Sequence, residues 1–102
     1  MTLRANLQAQ VEKDLRLAVL QVLEAGGNEA NSRILRSSLE MLGHRPTSDQ
    51  QRSALAWLEE QGLIRSIQLA ESVYRLQLTE RGLDVAEGRA SVPGVARPAP
   101  DG

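Results

Sequence analysis

The chain opens on a helical rhythm. Leu3, Leu7, Val11, Leu15, Ala18 and Val22 recur every three or four residues, the spacing that aligns one face of an α-helix. The pattern predicts a single helix over residues 3–25. From Leu15 onward, Leu17, Val19, Leu20 and Leu23 add a second apolar face, so this half is predicted buried on several sides. The half from Thr2 to Asp14 carries only the narrow stripe, and Gly26-Gly27-Asn28 stops the helix. A second helix is predicted from Asn31 or Ser32, either of which can cap it, with Ile34, Leu35, Leu39 and Leu42 inward. Gly43 ends it, and Pro46 makes a turn of His44-Arg45-Pro46.

The third predicted helix runs from Asp49 to Gln61. Ser48 is its expected N-cap, Gln51 completes a capping box, and Gly62 ends it. Leu55 and Leu58 point inward, and Gln51 extends that face where an apolar residue is usual. The period then changes from helical to alternating. Residues 63–69 and 73–78 read as two strands joined at Ala70-Glu71-Ser72. Thr79 is placed to cap a last helix over 80–87, which Gly82 weakens by roughly 1 kcal/mol relative to alanine. Beyond Gly88 the chain turns to Pro93, Gly94, Pro98 and Pro100, so residues 89–102 are expected to form an extended or disordered tail. The alternative for this tail is an arm laid across a partner.

Three helices followed by a hairpin give a mainly α fold with a small β-hairpin. This is the order of a winged helix-turn-helix, with a three-helix core, a two-stranded wing and a short C-terminal helix. Residues 1–88 form the expected winged-helix domain with an extended N-terminal helix.

Composition narrows the function. At 102 residues the chain has room for one small domain, and twelve basic against thirteen acidic residues exclude a polycation. There is no cysteine and one histidine, so no thiolate metal cage or disulfide framework can form. One tryptophan, one tyrosine and no phenylalanine leave no stacking platform for single-stranded nucleic acid. No apolar run is long enough to span a bilayer, and the opening Met-Thr-Leu-Arg is unlike a secretion signal, so the cytoplasm of a bacterial host is the expected location. No nucleophile, base and orienting acid assemble around His44, which reads as a polar turn residue, so no enzyme, cofactor or metal is expected.

The run Leu55-Ala56-Trp57-Leu58-Glu59-Glu60-Gln61-Gly62-Leu63-Ile64, with its exit Leu76-Gln77-Leu78-Thr79-Glu80-Arg81-Gly82, resembles winged-helix transcription regulators of the arsenic-repressor and multiple-antibiotic-resistance type. The wider run from Ala30-Asn31-Ser32 to Leu83-Asp84-Val85-Ala86, with the ending Gly88-Arg89-Ala90-Ser91-Val92-Pro93, is similar to small winged-helix proteins of Mu-like prophages. The resemblance implies a DNA-binding fold. Metal sensing is not carried over, because the cysteines or His and acid clusters it needs are missing.

In such a fold the start of the third helix enters the major groove of double-stranded DNA. Arg45, Thr47, Ser48, Gln50, Arg52 and Ser53 are the candidate contacts there, and Arg75 on the second strand is a candidate backbone contact. Arg33 and Arg36 can flank them, and residues 31–58 hold a net positive charge whereas residues 59–88 are net negative. The competing reading is a plain solvated helix face. The wing tip, with Glu71 and no base, reads as structural. Trp57 is expected to pack under the hairpin or against the first helix, an interface role being the alternative. Leu3, Leu7 and Val11 exceed what the domain needs to cover, which predicts a homodimer through the first helix; packing on Leu83 and Val85 is the alternative.

Two functions follow. One is a dimeric, phage-encoded, sequence-specific regulator. The other is a winged-helix accessory that contacts protein during phage DNA packaging or assembly.

Overall fold

The computed structural model describes residues 2–100. The first helix, α1, spans Leu3–Ala25, as its stripe predicts, and Thr2 caps it by accepting from the amide of Ala5. Its two halves differ as expected. Residues 2–14 are exposed throughout, whereas Leu15, Ala18, Val19, Leu20, Val22 and Leu23 are buried. A short strand β1, Glu29–Asn31, follows. Hydropathy does not predict this strand, because three residues are too few to show alternation. The second helix α2 spans Ser32–Met41 and starts on Asn31, whose side chain accepts from the amides of Arg33 and Ile34.

The third helix α3 is Ser48–Glu60. Its cap is Thr47, one residue earlier than expected. Thr47 Oγ1 accepts from the Gln50 amide at 3.1 Å, and Gln50 Oε1 accepts from the Thr47 amide at 2.8 Å. The pairing of Ser48 with Gln51 is thereby corrected: Gln51 is buried against α2, so its side chain cannot return to a cap. Strands β2, Ile64–Ala70, and β3, Val73–Leu78, form the hairpin, and α4, Glu80–Ala86, starts on Thr79.

The sheet is antiparallel with order β1-β3-β2. Asn31, Arg75 and Ile67 lie in one row across it, and Ala30, Leu76 and Ser66 in the next. The arrangement is mainly helical with a three-stranded sheet in place of the expected two-stranded wing, and it is consistent with a winged helix.

The core gathers the second half of α1, Leu35 and Leu39 of α2, Ala54 and Leu58 of α3, Leu63, Ile64 and Leu76 of the hairpin, and Val85 and Ala86 of α4. Two of the expected inward positions of α2 point out. Ile34 is 56 % exposed and Leu42 57 %. Each helical residue turns 100°, so Ile34 sits well round from the line of Leu35 and Leu39, and Leu42 is the C-cap beyond the last turn.

The tail is the larger departure. Val92 and Val95 are buried in the core, the Ala96 amide donates to the Lys13 carbonyl at 3.2 Å, and Arg16 Nη1 donates to the Gly94 carbonyl at 3.0 Å. The tail is therefore a strap over α1 and α3 of its own chain. Trp57 lies beneath it, with the Arg16 guanidinium 4.2 Å from its ring centroid. Gly94 adopts φ +101, and a Cβ there would stand 2.6 Å from the Trp57 ring, so the strap passes only because that residue lacks a side chain.

Candidate nucleic-acid interface

Local chemistry fixes the start of α3 before any ligand arrives. The Gly43 amide donates to the Glu40 carbonyl and the His44 amide to the Leu39 carbonyl, which closes α2 in a Schellman turn. Pro46 is buried behind that turn. Arg36 of α2 reaches across, donating to the Pro46 carbonyl at 3.2 Å and to Ser48 Oγ at 3.5 Å. Gln51 Nε2 donates to the Ser32 carbonyl at 3.4 Å, and Ser32 Oγ accepts from the Tyr74 amide at 3.1 Å. These bonds join α2, α3 and the hairpin into one frame.

On that frame Gln51, Ala54 and Leu58 face inward, while Ser48, Asp49, Gln50, Arg52 and Ser53 are exposed on the first turns. Arg52 Nη2 pairs with Asp49 Oδ1 at 2.8 Å, with both side chains largely in solvent. An exposed pair of this kind holds at most about 1 kcal/mol, so Arg52 can exchange Asp49 for another acceptor at little cost. Thr47 and Gln50 are held by the capping box, which leaves the Gln50 amide nitrogen as its free donor.

A groove of about 530 Å³ runs between α2, α3 and the wing tip. Arg33, Arg36 and Arg52 line it, with Ser48 between them and Glu71 and Ser72 on the wing side. The structure thus brings Arg33 and Arg36, one turn apart on α2, together with Arg52 of α3. It places Arg45 elsewhere, exposed on the other flank of α3 in a groove shared with α1. Arg75 also stands apart. Its neighbour Tyr74 lines the arginine groove, so the strand's alternation directs exposed Arg75 to the opposite face of the sheet, beside Ile67. Leu3, Leu7 and Val11 are 73 %, 58 % and 61 % exposed and do not pack on α4.

Among the described residues, no group of three or more His, Cys, Asp or Glu side chains is placed to hold a metal, and no helix is long and apolar enough to cross a membrane. One pair of carboxylates is perturbed. Glu24 at the end of α1 meets Glu87 at the end of α4; the hydrogen bond that protonated Glu24 donates to Glu87, loss of water and like-charge repulsion raise the Glu24 pKa, while Arg89 opposes them.

The fold matches that of hsRosR-S1, solved as a complex, with a TM-score of 0.63 over 78 % of this chain and 70 % of that one. At 20 % identity this is a likeness of fold. No family model matches the chain. Over 88 residues it is 44 % identical to the uncharacterized protein gp26 of Escherichia phage Mu, spanning 86 % of this chain and 91 % of that protein. A protein of Haemophilus influenzae is 38 % identical over 73 residues, 72 % of each chain. The chain belongs to the family of phage Mu gp26.

Proposed function

We propose that the chain is a winged-helix, DNA-binding transcription regulator of phage origin. It acts as a dimer with α3 in the major groove, in the cytoplasm of a bacterial host. The observation that carries this reading is the division of α3. Its back is fixed by Gln51, Ala54 and Leu58, while its first turns stand uncovered beside Arg33, Arg36 and Arg52. Arg52 is the base reader, able to turn from Asp49 to guanine O6 and N7. Asp49, once released, accepts from a cytosine amino group. Ser48 serves a backbone phosphate, as does Arg33, while Arg36 donates to the Pro46 carbonyl in the frame and Ser53 faces the α1 side of the helix. Arg45 stands on the second flank of α3, outside the arginine groove. Thr47 and Gln50 preorganise the helix start, and Arg75 takes no part in the same face. The dimer forms through Leu3, Leu7 and Val11, which are exposed on a helix that projects from the body. No cofactor, metal or catalytic step enters this function.

Glu71 at the groove's wing side favours a second reading. There the same face docks a protein partner during phage DNA packaging or assembly.

Anisotropy titrations of genomic fragments at rising salt separate the two. The regulator binds a preferred fragment with affinity that falls steeply with salt. Arg52→Ala is expected to weaken that binding about tenfold to a hundredfold, the worth of one bidentate base contact, with the melting temperature unchanged. Absence of any salt-dependent shift rejects the regulator, and a lowered melting temperature reassigns Arg52 to the structure.

A further inference from the structure

A second groove, about 580 Å³, lies at the root of the projecting half of α1, between that helix, the turn after α2 and the start of α3. Val11 is its exposed apolar residue, set over the buried Leu15, Pro46 and Ala54; Glu12, Asp14 and Asp49 line it against Arg16 and Arg45, which leaves it one negative charge in excess. The half-helix beside it, residues 2–11, has a single charged side chain, Arg4. That charge sits in the first turn, where the helix has no acidic residue. A cation at this end opposes the helix dipole, so its own helix does not favour it. An acid from elsewhere does.

We propose that this groove seats the first two turns of α1 from a second copy, the two helices running antiparallel. The proposal rests on the dimer of the preceding section and gives it a geometry. Charge complementarity selects both occupant and direction. Arg4 and Glu12 lie two turns apart on one flank of the Leu3–Leu7–Val11 stripe. In an antiparallel pair each Arg4 meets the partner's Glu12 over the groove, whereas a parallel pair stacks Arg4 on Arg4 and Glu12 on Glu12. The occupant also brings Leu3 and Leu7, which are exposed in their own chain, onto the exposed Val11 of the groove. Asp49, Gln50 and Ser53 form the far wall of the groove. The partner's helix therefore braces the flank of α3 and sets the distance between the two α3 starts.

The native chain has no cysteine, so introduced thiols report cleanly. Light scattering of the full chain at tens of micromolar is expected to give twice the chain mass. Leu7→Glu gives a monomer with unchanged helical circular dichroism. Arg4→Cys and Glu12→Cys proteins, mixed and mildly oxidised, are expected to yield mainly the 4–12 heterodimer. Arg4→Glu and Glu12→Arg each weaken the dimer at least several-fold, and the double variant restores it. A monomeric wild-type chain, or crosslinks confined to 4–4 and 12–12, overturns the proposal. DNA binding is read separately: an antiparallel dimer without it rejects the regulator but keeps this interface, and a DNA-binding monomer does the reverse.

Discussion

Gly82 gives a test in which local and tertiary physics predict opposite signs. It lies inside α4, where alanine is favoured over glycine by about 1 kcal/mol on helix propensity alone. Gly82→Ala would therefore stabilise the chain if only the helix mattered. In the folded protein a Cβ at this position would collide with the Leu63 carbonyl oxygen and stand 2.7 Å from Leu78 Cδ1. The Leu78 side chain can turn aside, but the carbonyl cannot do so freely. It accepts from the Thr79 amide at 3.1 Å, and the Gly62 carbonyl before it accepts from Thr79 Oγ1 at 2.7 Å. Relief requires α4 to lift from the α3–β2 corner, which disturbs Val85 and Ala86 in the core. Overpacking against a fixed carbonyl lies at the upper end of the usual range, about 2–3 kcal/mol, and exceeds the propensity gain of about 1 kcal/mol, so a net loss of about 1–2 kcal/mol is expected. For a domain of this size that lowers the melting temperature by roughly 5–15 °C. Urea unfolding, followed by far-UV circular dichroism and Trp57 fluorescence, measures it. An equal or higher midpoint for Gly82→Ala would refute the reasoning.

Three further outcomes are expected. Thr47→Ala removes the cap oxygen of α3 and costs about 1 kcal/mol in urea unfolding, whereas Ser48→Ala costs only a few tenths; equal losses would return the cap to Ser48. Val95→Ala, in the strap, costs about 1–2 kcal/mol and shifts Trp57 emission, because Val95 is buried in the core; a silent substitution would mean that the tail is not held. Glu24→Gln stabilises at neutral pH by about 0.5 kcal/mol by removing the repulsion from Glu87. The raised Glu24 pKa means that the folded state holds its proton more tightly. Its contribution is then fully present below the ordinary carboxylate range and is lost as pH rises through the raised value. The advantage of Glu24→Gln should therefore vanish in acid, and a pH-independent advantage would exclude the pair as its source.

Helix-by-helix, the sequence carried most of the architecture. A stripe of twenty-three residues, glycine stops and a change of period from helical to alternating are local signals, so α1, α3, the hairpin and the Thr79-capped α4 were legible. So was the exposed start of α3, because the inward line through Gln51 and Leu58 leaves the other side to solvent. Periodicity does not distinguish which of two adjacent stripes on α2 meets the core, so it points Ile34 inward although the folded chain leaves it exposed. Nor could it choose between neighbouring hydroxyls for the cap of α3.

The tertiary structure alone decided what depends on distance across the fold. The strand at Glu29–Asn31 exists because β3 offers it an open edge. The strap holds because Trp57 and Arg16 face a glycine seventy-eight residues beyond Arg16, and composition read the same segment as loose. The arginine groove gathers Arg33, Arg36 and Arg52 and leaves Arg45 and Arg75 outside, a sorting that sequence spacing cannot make. Local propensity and periodicity are properties of a few neighbouring residues and are written in their order. Which faces meet is a property of the whole packed chain, and it sets the site.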